Sequence, residues 1–219
     1  MTPNRAHFID ELKMLNQKVV EMGTEVHNSY VKLIKVCSTM DTDMALQIME
    51  QDKLINEFEV SINVDAYLLI AKQCPVASDL RRIITALKIS NELERIADYT
   101  VNIAKYIVKT KNNNEKFLKA IINLSSIFLD MLQGIMEAFK LEDIDLALKI
   151  NNSDEVLDSE YRKYVIELTK IAKSSTDEEI EEAMRALLVI KQIERAGDHV
   201  TNIAENIVYL VNGKRVELN

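Results

Sequence analysis

Glycine, proline and tryptophan are scarce or missing in this chain of 219 residues, which contains 4 Gly, 2 Pro and no Trp. Glycine and proline mark many tight turns, so their scarcity predicts few turns and long helices. A β-sheet protein of this length would need many turns that carry glycine or asparagine. The sequence therefore predicts an all-α fold.

The chain also lacks a basic excess, a long apolar run and a cysteine motif. Its formal net charge is −8, whereas nucleic-acid-binding domains usually carry a basic surface. No run of 18 or more apolar residues occurs, and the N-terminus lacks the basic and apolar segments of a secretory signal. Cys37 and Cys74 lie in no metal or redox motif, which favours reduced thiols. We expect a cytoplasmic protein that neither binds nucleic acid nor spans a membrane.

Apolar residues recur every three or four positions along most of the chain, which is the period of an amphipathic α-helix. The simplest interpretation is six long helices in two groups of three. The last helix is predicted to end at Gly213. Polar or proline-containing breaks separate the predicted helices near residues 38–43, 75, 112–114, 141–145 and 174–177.

The second group of helices repeats the first. With an offset of 102 residues, Asp52 aligns with Asp154. With an offset of 100 residues, Glu94-Arg95-Ile96-Ala97-Asp98 aligns with Glu194-Arg195-Ala196-Gly197-Asp198, and Asn102 aligns with Asn202. Identity at charged and amide residues is harder to obtain by helical period alone than identity at apolar ones. The repeat predicts two tandem, similar three-helix bundles, the first in residues 1–111 and the second in residues 112–219.

Each repeat carries two acidic residues one helical turn apart. Residues at i and i+4 differ by about 40° around a helix, so Glu94 and Asp98 share one stripe, and Asn102 continues it. The apolar positions of this helix fall on the opposite side, which predicts an acidic stripe at the outer face of the bundle. Two unpaired carboxylates at this spacing repel by a few tenths of a kcal/mol. A bound cation would reverse that effect, and Arg95 points about 100° away from Glu94.

The preceding helix of each repeat offers a second polar stripe. Asp52 and Asn56 are one turn apart in the first repeat, and Asp154 and Asp158 take the same positions in the second. If the two stripes of a repeat lie side by side, their oxygen atoms suit hard cations such as Mg²⁺, Mn²⁺ or iron. A shared helix cap or a hydrogen-bond network between helices is the alternative. His199 adjoins Asp198 and is interpreted as a surface residue.

No signature of an enzyme accompanies these stripes. The chain has no glycine-rich phosphate loop, no His-Glu-x-x-His and no Gly-x-Ser-x-Gly. A di-iron oxidase bundle needs Glu-x-x-His, and neither Glu94 nor Glu194 is followed by histidine three residues later. The sequence therefore predicts a protein that is not an enzyme.

The two Glu-Arg-x-x-Asp motifs, together with Cys74-Pro75-Val76-Ala77-Ser78-Asp79-Leu80-Arg81, resemble the PhoU family over nearly the whole chain. The resemblance implies a cytoplasmic, usually dimeric negative regulator of phosphate uptake and phosphate-regulon signalling. Its implied partners are the ATPase of a phosphate ABC transporter and a phosphate-sensing histidine kinase, so it would meet a membrane only through them. Asp79-Leu80-Arg81 has no counterpart in the second repeat, and its role is left open.

The resemblance also implies metal ions on the bundle surfaces, whether iron, manganese, magnesium or zinc. A structural helical scaffold, or an accessory protein of another phosphate carrier without bound metal, is the alternative function. The metal ligands implied by the motifs, with the residues on the same stripes, are Glu94, Asp98, Glu194, Asp198, Asp52, Asp154, Asp158, Asn102 and Asn202.

Overall fold

The computed structural model describes residues 3–110, 114–172 and 176–218. Every regular element in these ranges is an α-helix, as the scarcity of glycine and proline predicts. The helices are α1 (Pro3–Thr39), α2 (Thr42–Gln73), α3 (Ala77–Thr110), α4 (Glu115–Leu141), α5 (Ile144–Asn152), α6 (Asp154–Ala172) and α7 (Asp177–Asn212).

Local capping interactions set the helix ends. The Asp41 side chain accepts hydrogen bonds from the backbone N–H groups of Asp43 and Met44, both 3.0 Å long, and so begins α2. Thr176 and Glu179 form a reciprocal capping box at the start of α7. Gly213 ends α7 with a φ of 72°, in the left-handed region that glycine adopts at low cost. The predicted stop at Gly213 is confirmed.

The six-helix plan is confirmed, with the fifth helix divided into α5 and α6 at Ser153. Ser153 keeps nearly helical dihedral angles, φ −74° and ψ −14°. Its backbone N–H donates to the carbonyl of Ile150 over 2.9 Å, which tightens the last turn of α5. The helical period therefore continues across the interruption, and a sequence pattern predicts one helix there.

The helices form two similar groups that share a single hydrophobic core. In the first group α1, α2 and α3 pack together; in the second, α4 and α7 pack with α5 and α6. The groups meet where α1 contacts α4 and where α3 contacts α7. Tyr30 of α1 and Phe128 of α4 are fully buried at this junction, with ring centroids 4.4 Å apart. The predicted boundary near residues 111–112 lies outside the described residues and stays a prediction.

Within the described part of the chain, α4 is the one helix long and apolar enough to cross a membrane by length and composition. Its most apolar 18-residue window has a mean hydropathy of 1.3, and 44% of that window is buried. The apolar face of α4, which includes Ile121, Leu124 and Leu132, lines the core between the two groups. Its composition therefore has an explanation in core packing.

Candidate functional site

The first acidic cluster lies at the surface where α2 and α3 meet. Asp52 of α2 faces Glu94 and Asp98 of α3, and all three carboxyl groups interact electrostatically. Asp52 and Glu94 are partly buried, whereas Asp98 is exposed. Asn56 Nδ2 donates to Asp52 Oδ2 over 3.4 Å. The antiparallel packing of α2 and α3 thus brings the two predicted stripes of this repeat side by side.

Negative charge accumulates in this cluster. Burial raises the pKa of Asp52, and the nearby carboxylate of Asp98 raises it further. Burial likewise raises the pKa of Glu94, with added repulsion from Asp98 and Glu59. Asp52 Oδ1 is buried and has no hydrogen-bond partner. A cation would satisfy this oxygen and relieve the repulsion together.

The second cluster occupies the equivalent surface between α6 and α7. Burial raises the pKa of Asp154 to about 7, and Asp158, Asp198 and Glu194 add repulsion. Gly197 allows this close approach, because a Cβ atom there would lie 2.6 Å from Asp154 Oδ1. The first repeat has Ala97 at the corresponding position. The packing at Asp154 is therefore specific to the second repeat.

Basic side chains partly neutralise the second cluster. Lys191 Nζ pairs with Glu194 Oε1 and lies 5.4 Å from the ring centroid of Tyr161. Arg162 pairs with Asp158 over 2.7 Å. Glu194 Oε2 remains buried without a hydrogen-bond partner. The second cluster thus has four carboxylates, two of which are paired with cationic side chains.

The chemistry of both clusters fits a hard cation, and their geometry fits it only in part. Carboxylate oxygens predominate, and an amide is added at Asn56 in the first cluster. The partnerless oxygens of Asp52 and Glu194 are free to accept a ligand. However, among the side chains described, no three carboxylate, imidazole or thiolate groups converge closely enough to hold one metal ion. The side chains would have to move together to coordinate a cation, so the predicted metal ligands stay a prediction.

Comparison with known proteins identifies the family. The PhoU domain model matches twice, at residues 19–107 and 121–207, once in each repeat. The chain belongs to the PhoU family. A PhoU homologue of Thermotoga maritima, named phosphate-specific transport system accessory protein PhoU homolog 1, is 33% identical over 98% of this chain and 93% of its own length. PhoU of Escherichia coli K12 is 34% identical over 94% of this chain and 86% of its own length.

Solved PhoU structures share the fold. The crystal structure of PhoU from Pseudomonas aeruginosa superposes with a TM-score of 0.89 at 29% identity, covering 94% of this chain and 100% of that one. PhoU from Streptococcus pneumoniae, described as a phosphate transport system regulatory protein, gives a TM-score of 0.86 at 29% identity, covering 96% and 99%. The PhoU fold with its duplicated bundle is therefore confirmed for this chain.

In this PhoU chain the two predicted asparagine ligands occupy different surroundings. Asn102 is exposed on α3. Asn202 Nδ2 donates to Glu92 Oε2 over 3.1 Å, which directs it toward α3. Neither asparagine amide has a described contact with the carboxylates of its own repeat. Asn202 instead belongs to a polar network between α3 and α7.

His199 is the centre of that network, and its interpretation as a surface residue is wrong. Its side chain is only 15% exposed, and Nδ1 lies 2.5 Å from Glu92 Oε2. Tyr99 Oη lies 3.2 Å from His199 Nε2. Burial opposes ionisation of Glu92, but bonds from His199 and Asn202 hold its pKa below the usual value. Tyr99 and His199 are repeat equivalents at the offset of 100 residues, so they meet across the approximate symmetry of the PhoU fold.

Asp79-Leu80-Arg81 ties the start of α3 to other helices. Buried Asp79 pairs with Arg5 of α1 over 2.8 Å. The Arg81 guanidinium lies against Gly213, and its Nε approaches the carbonyl of Leu210 at 3.5 Å. The next residue, Arg82, pairs with Glu142 through two contacts, one of them 2.8 Å long. Arg81 and Arg82 therefore link the first repeat to the second, whereas Asp79 pairs within the first repeat.

Three residues near the clusters, Glu59, Gly197 and Lys191, were not predicted from the sequence. A sequence pattern marks Gly197 and Lys191 but not Glu59. Glu59 has no acidic equivalent, because Tyr161 takes that position in the second repeat. A glycine inside a helix, as at Gly197, often marks a close approach. Lys191 stands three residues before Glu194, a spacing at which helical ion pairs form. By contrast, the pairing of Glu92 with His199 depends on tertiary packing alone.

Proposed function

We propose that this protein is a cytoplasmic accessory and negative regulatory protein of phosphate uptake, without enzymatic activity of its own. Membership in the PhoU family carries the proposal, because the family model matches both repeats and relatives at 32–34% identity align over nearly the full chain. Those relatives are named phosphate-specific transport system accessory proteins. The absence of a catalytic motif in the sequence agrees with a regulatory role.

The protein acts as an adaptor in this proposal. As a homodimer, it docks on the ATPase of a phosphate ABC transporter and on a phosphate-sensing histidine kinase. It restrains uptake and signalling when phosphate is plentiful. A rigid helical protein with a single shared core is suited to this role, because it presents fixed surfaces to two partners.

Cations bound at the two acidic clusters are part of the same proposal. Burial first, and neighbouring carboxylates second, raise the pKa values of Asp52, Glu94, Asp154 and Asp198, so a full set of ionised carboxylates is costly in each cluster. The partnerless oxygens of Asp52 and Glu194 add to the case. Candidate ions are iron, manganese, magnesium and zinc. A bound ion would fix the side chains of neighbouring helices and so define the docking surface.

Elemental analysis of the purified protein tests the metal. The test variant replaces Glu94, Asp98, Glu194 and Asp198 by alanine. A control variant with the same change in net charge replaces four exposed acids, Asp10, Asp43, Asp145 and Glu178. We expect wild type and control to retain metal after dialysis and the test variant to lose most of it. Equal metal content in all three proteins would refute metal binding at the clusters.

Affinity purification tests the partners. A tagged wild-type protein, expressed in its own host with ample phosphate, should recover the phosphate transporter ATPase and a sensor kinase. Recovery should fall when the host is starved of phosphate. If neither protein is recovered under either condition, the adaptor role is wrong.

A metal-free scaffold is the second candidate, and the second cluster favours it. Lys191 and Arg162 already pair with Glu194 and Asp158, so this cluster is partly neutral without an ion. The protein would then be a structural helical scaffold or an accessory protein of another phosphate carrier. Full phosphate regulation by the Glu94/Asp98/Glu194/Asp198 alanine variant would favour this candidate.

A further inference from the structure

An apolar stripe runs along the solvent side of α2. It consists of Val60, Val64, Tyr67 and Leu68, whose exposed fractions are 59%, 49%, 61% and 46%. About two and a half turns of helix therefore present mostly apolar side chains to solvent. Single exposed apolar residues are ordinary on a protein surface, whereas a continuous stripe marks an interaction surface.

The spacing of this α2 stripe is that of a helix–helix seam. Val60, Val64, Tyr67 and exposed Ala71 alternate by four, three and four residues, as the core positions of a coiled coil do. The side of α2 that packs into the protein is separate and carries Ile55, Ile62, Ala66 and Leu69, all buried. Thus α2 has two apolar faces, and the residues that the structure describes cover only one of them.

The PhoU fold does not require apolar residues at the stripe. At the offset of 102 residues, Ile55 aligns with Leu157 and Ala66 with Leu168, and all four are buried. The stripe residues Val60, Val64, Tyr67 and Leu68 align with Arg162, Ile166, Thr169 and Lys170. The second repeat therefore keeps the inward face and replaces most of the outward one by polar residues. The packing that both repeats share therefore does not explain the apolar stripe.

Charges at the ends of the stripe are self-complementary. Exposed Glu57 lies before its N-terminal end, and exposed Lys72 lies after its C-terminal end. An antiparallel pair of α2 helices would bring Glu57 of each copy toward Lys72 of the other, at both ends of the stripe. A parallel pair would set Glu57 against Glu57, which is repulsive. The charges therefore favour a second copy of this chain in the antiparallel orientation.

We propose that the α2 stripe is the docking face for a second copy of this chain, related by a two-fold axis across an antiparallel α2 pair. Val64 of one copy lies opposite Tyr67 of the other, and Val60 lies opposite Ala71. The stripe is isologous, because each copy offers the same residues to its partner. The inference rests on the homodimer of the proposed function and specifies its face.

The adjoining surface of α1 completes the interface. Specific interfaces bury roughly 1,200–2,000 Å² in total, which four side chains do not supply. Met14 of α1 is 64% exposed, and it lines a shallow groove together with Leu68 and Lys72. Met14 therefore extends the apolar stripe onto α1, beside Glu11 and Asp65, which line the same groove.

Sedimentation velocity over a concentration series tests the face. We expect the wild type to be a dimer. The dissociation constant of the Val64→Glu dimer should be at least tenfold higher than that of the wild type. Ile166→Glu is the matched control, because Ile166 is 56% exposed at the equivalent position of the second repeat. It should remain a dimer. A monomeric wild type, a dimeric Val64→Glu variant, or dissociation of the control would each overturn the proposal.

Cysteine cross-linking tests the orientation. In a Cys74→Ser background, with Cys37 buried, Val64→Cys should form a disulfide-linked dimer under mild oxidation. Lys53→Cys should not, because an antiparallel pair separates the two copies of residue 53 by roughly 25 residues of helix, on the order of 40 Å. Cross-linking through residue 53 but not residue 64 would overturn the antiparallel arrangement.

These measurements are independent of the partners. They use purified protein without transporter or kinase, so a monomeric result leaves the phosphate role standing. Conversely, a dimer through α2 combined with no recovered transporter ATPase would refute the adaptor and retain the interface. If transporter binding is lost in Val64→Glu while the wild type is a monomer, the stripe serves another partner and the second-copy proposal is wrong.

Discussion

Asp154 combines burial, nearby negative charge and close contact with α7 in one side chain. Its pKa rises from 3.8 in the unfolded chain to about 7 in the folded protein. An acid whose pKa is raised by folding stabilises the protein fully below its unfolded pKa. That contribution is lost as the pH rises through the folded pKa. In the absence of metal, Asp154 therefore destabilises the protein progressively from about pH 4 to pH 7.

We expect Asp154→Asn to remove this part of the pH dependence. In chelator-treated protein, the variant should gain stability over wild type as the pH rises toward 8, with little difference near pH 4. Urea denaturation at several pH values measures the change, and exposed Asp145→Asn is the control. Adding Mn²⁺ at pH 8 should stabilise wild type more than Asp154→Asn if the cluster holds the ion. If the free energy of unfolding changes with pH in parallel for wild type and Asp154→Asn, the raised pKa of Asp154 is not the cause of the pH dependence.

At the scale of single elements, short polar signals decide where helices begin. Asp41 satisfies two backbone N–H groups at the start of α2. We expect Asp41→Ala to lower the free energy of unfolding by about 1 kcal/mol, because these donors lose their acceptor. Chemical denaturation measures the loss. Thr42→Ala, at an exposed neighbouring position, should cost much less, and equal losses in both variants would show that capping is not the cause.

Elements with a strong period were predictable from sequence alone. The apolar spacing of α1 to α4 and of α7, together with capping residues such as Thr176, predicts these helices to within a few residues. The separation of α5 from α6 was not predictable, because Ser153 keeps nearly helical dihedral angles and neither glycine nor proline marks the site. The acidic stripes were predictable for a similar reason, since an i, i+4 spacing fixes the face of a helix.

Contacts between distant elements were beyond the sequence pattern. Helical period says which face of α7 carries His199, but not that Glu92 of α3 lies opposite it. The partners of Asp79 and Arg82 likewise depend on how α1, α3 and α4 meet. Packing of the whole core decides which residues of different helices become partners. The sequence pattern of a single helix does not indicate these partners.

At the scale of the molecule, one core joins the two repeats. Phe128 is fully buried and packs on Tyr30 of the other repeat. We expect Phe128→Ala to cost about 3–5 kcal/mol, the usual range for a buried phenylalanine. Because the core is shared, unfolding should remain a single transition, shifted to lower urea. Exposed Leu188→Ala is the control. Two separate transitions in Phe128→Ala would show that the repeats unfold independently.

The interruption at Ser153 has a consequence for the two acidic clusters. Because α6 begins at Asp154, that carboxylate lies in a first helical turn directly after the break, whereas Asp52 lies in the interior of the unbroken α2. Lys191 and Arg162 add positive charge on the same side of the molecule. The two clusters share one plan, and the helix break together with the ion pairs of Lys191 and Arg162 makes them unequal. A cation that approaches this protein therefore meets a stronger attraction at the cluster between α2 and α3 than at the cluster between α6 and α7.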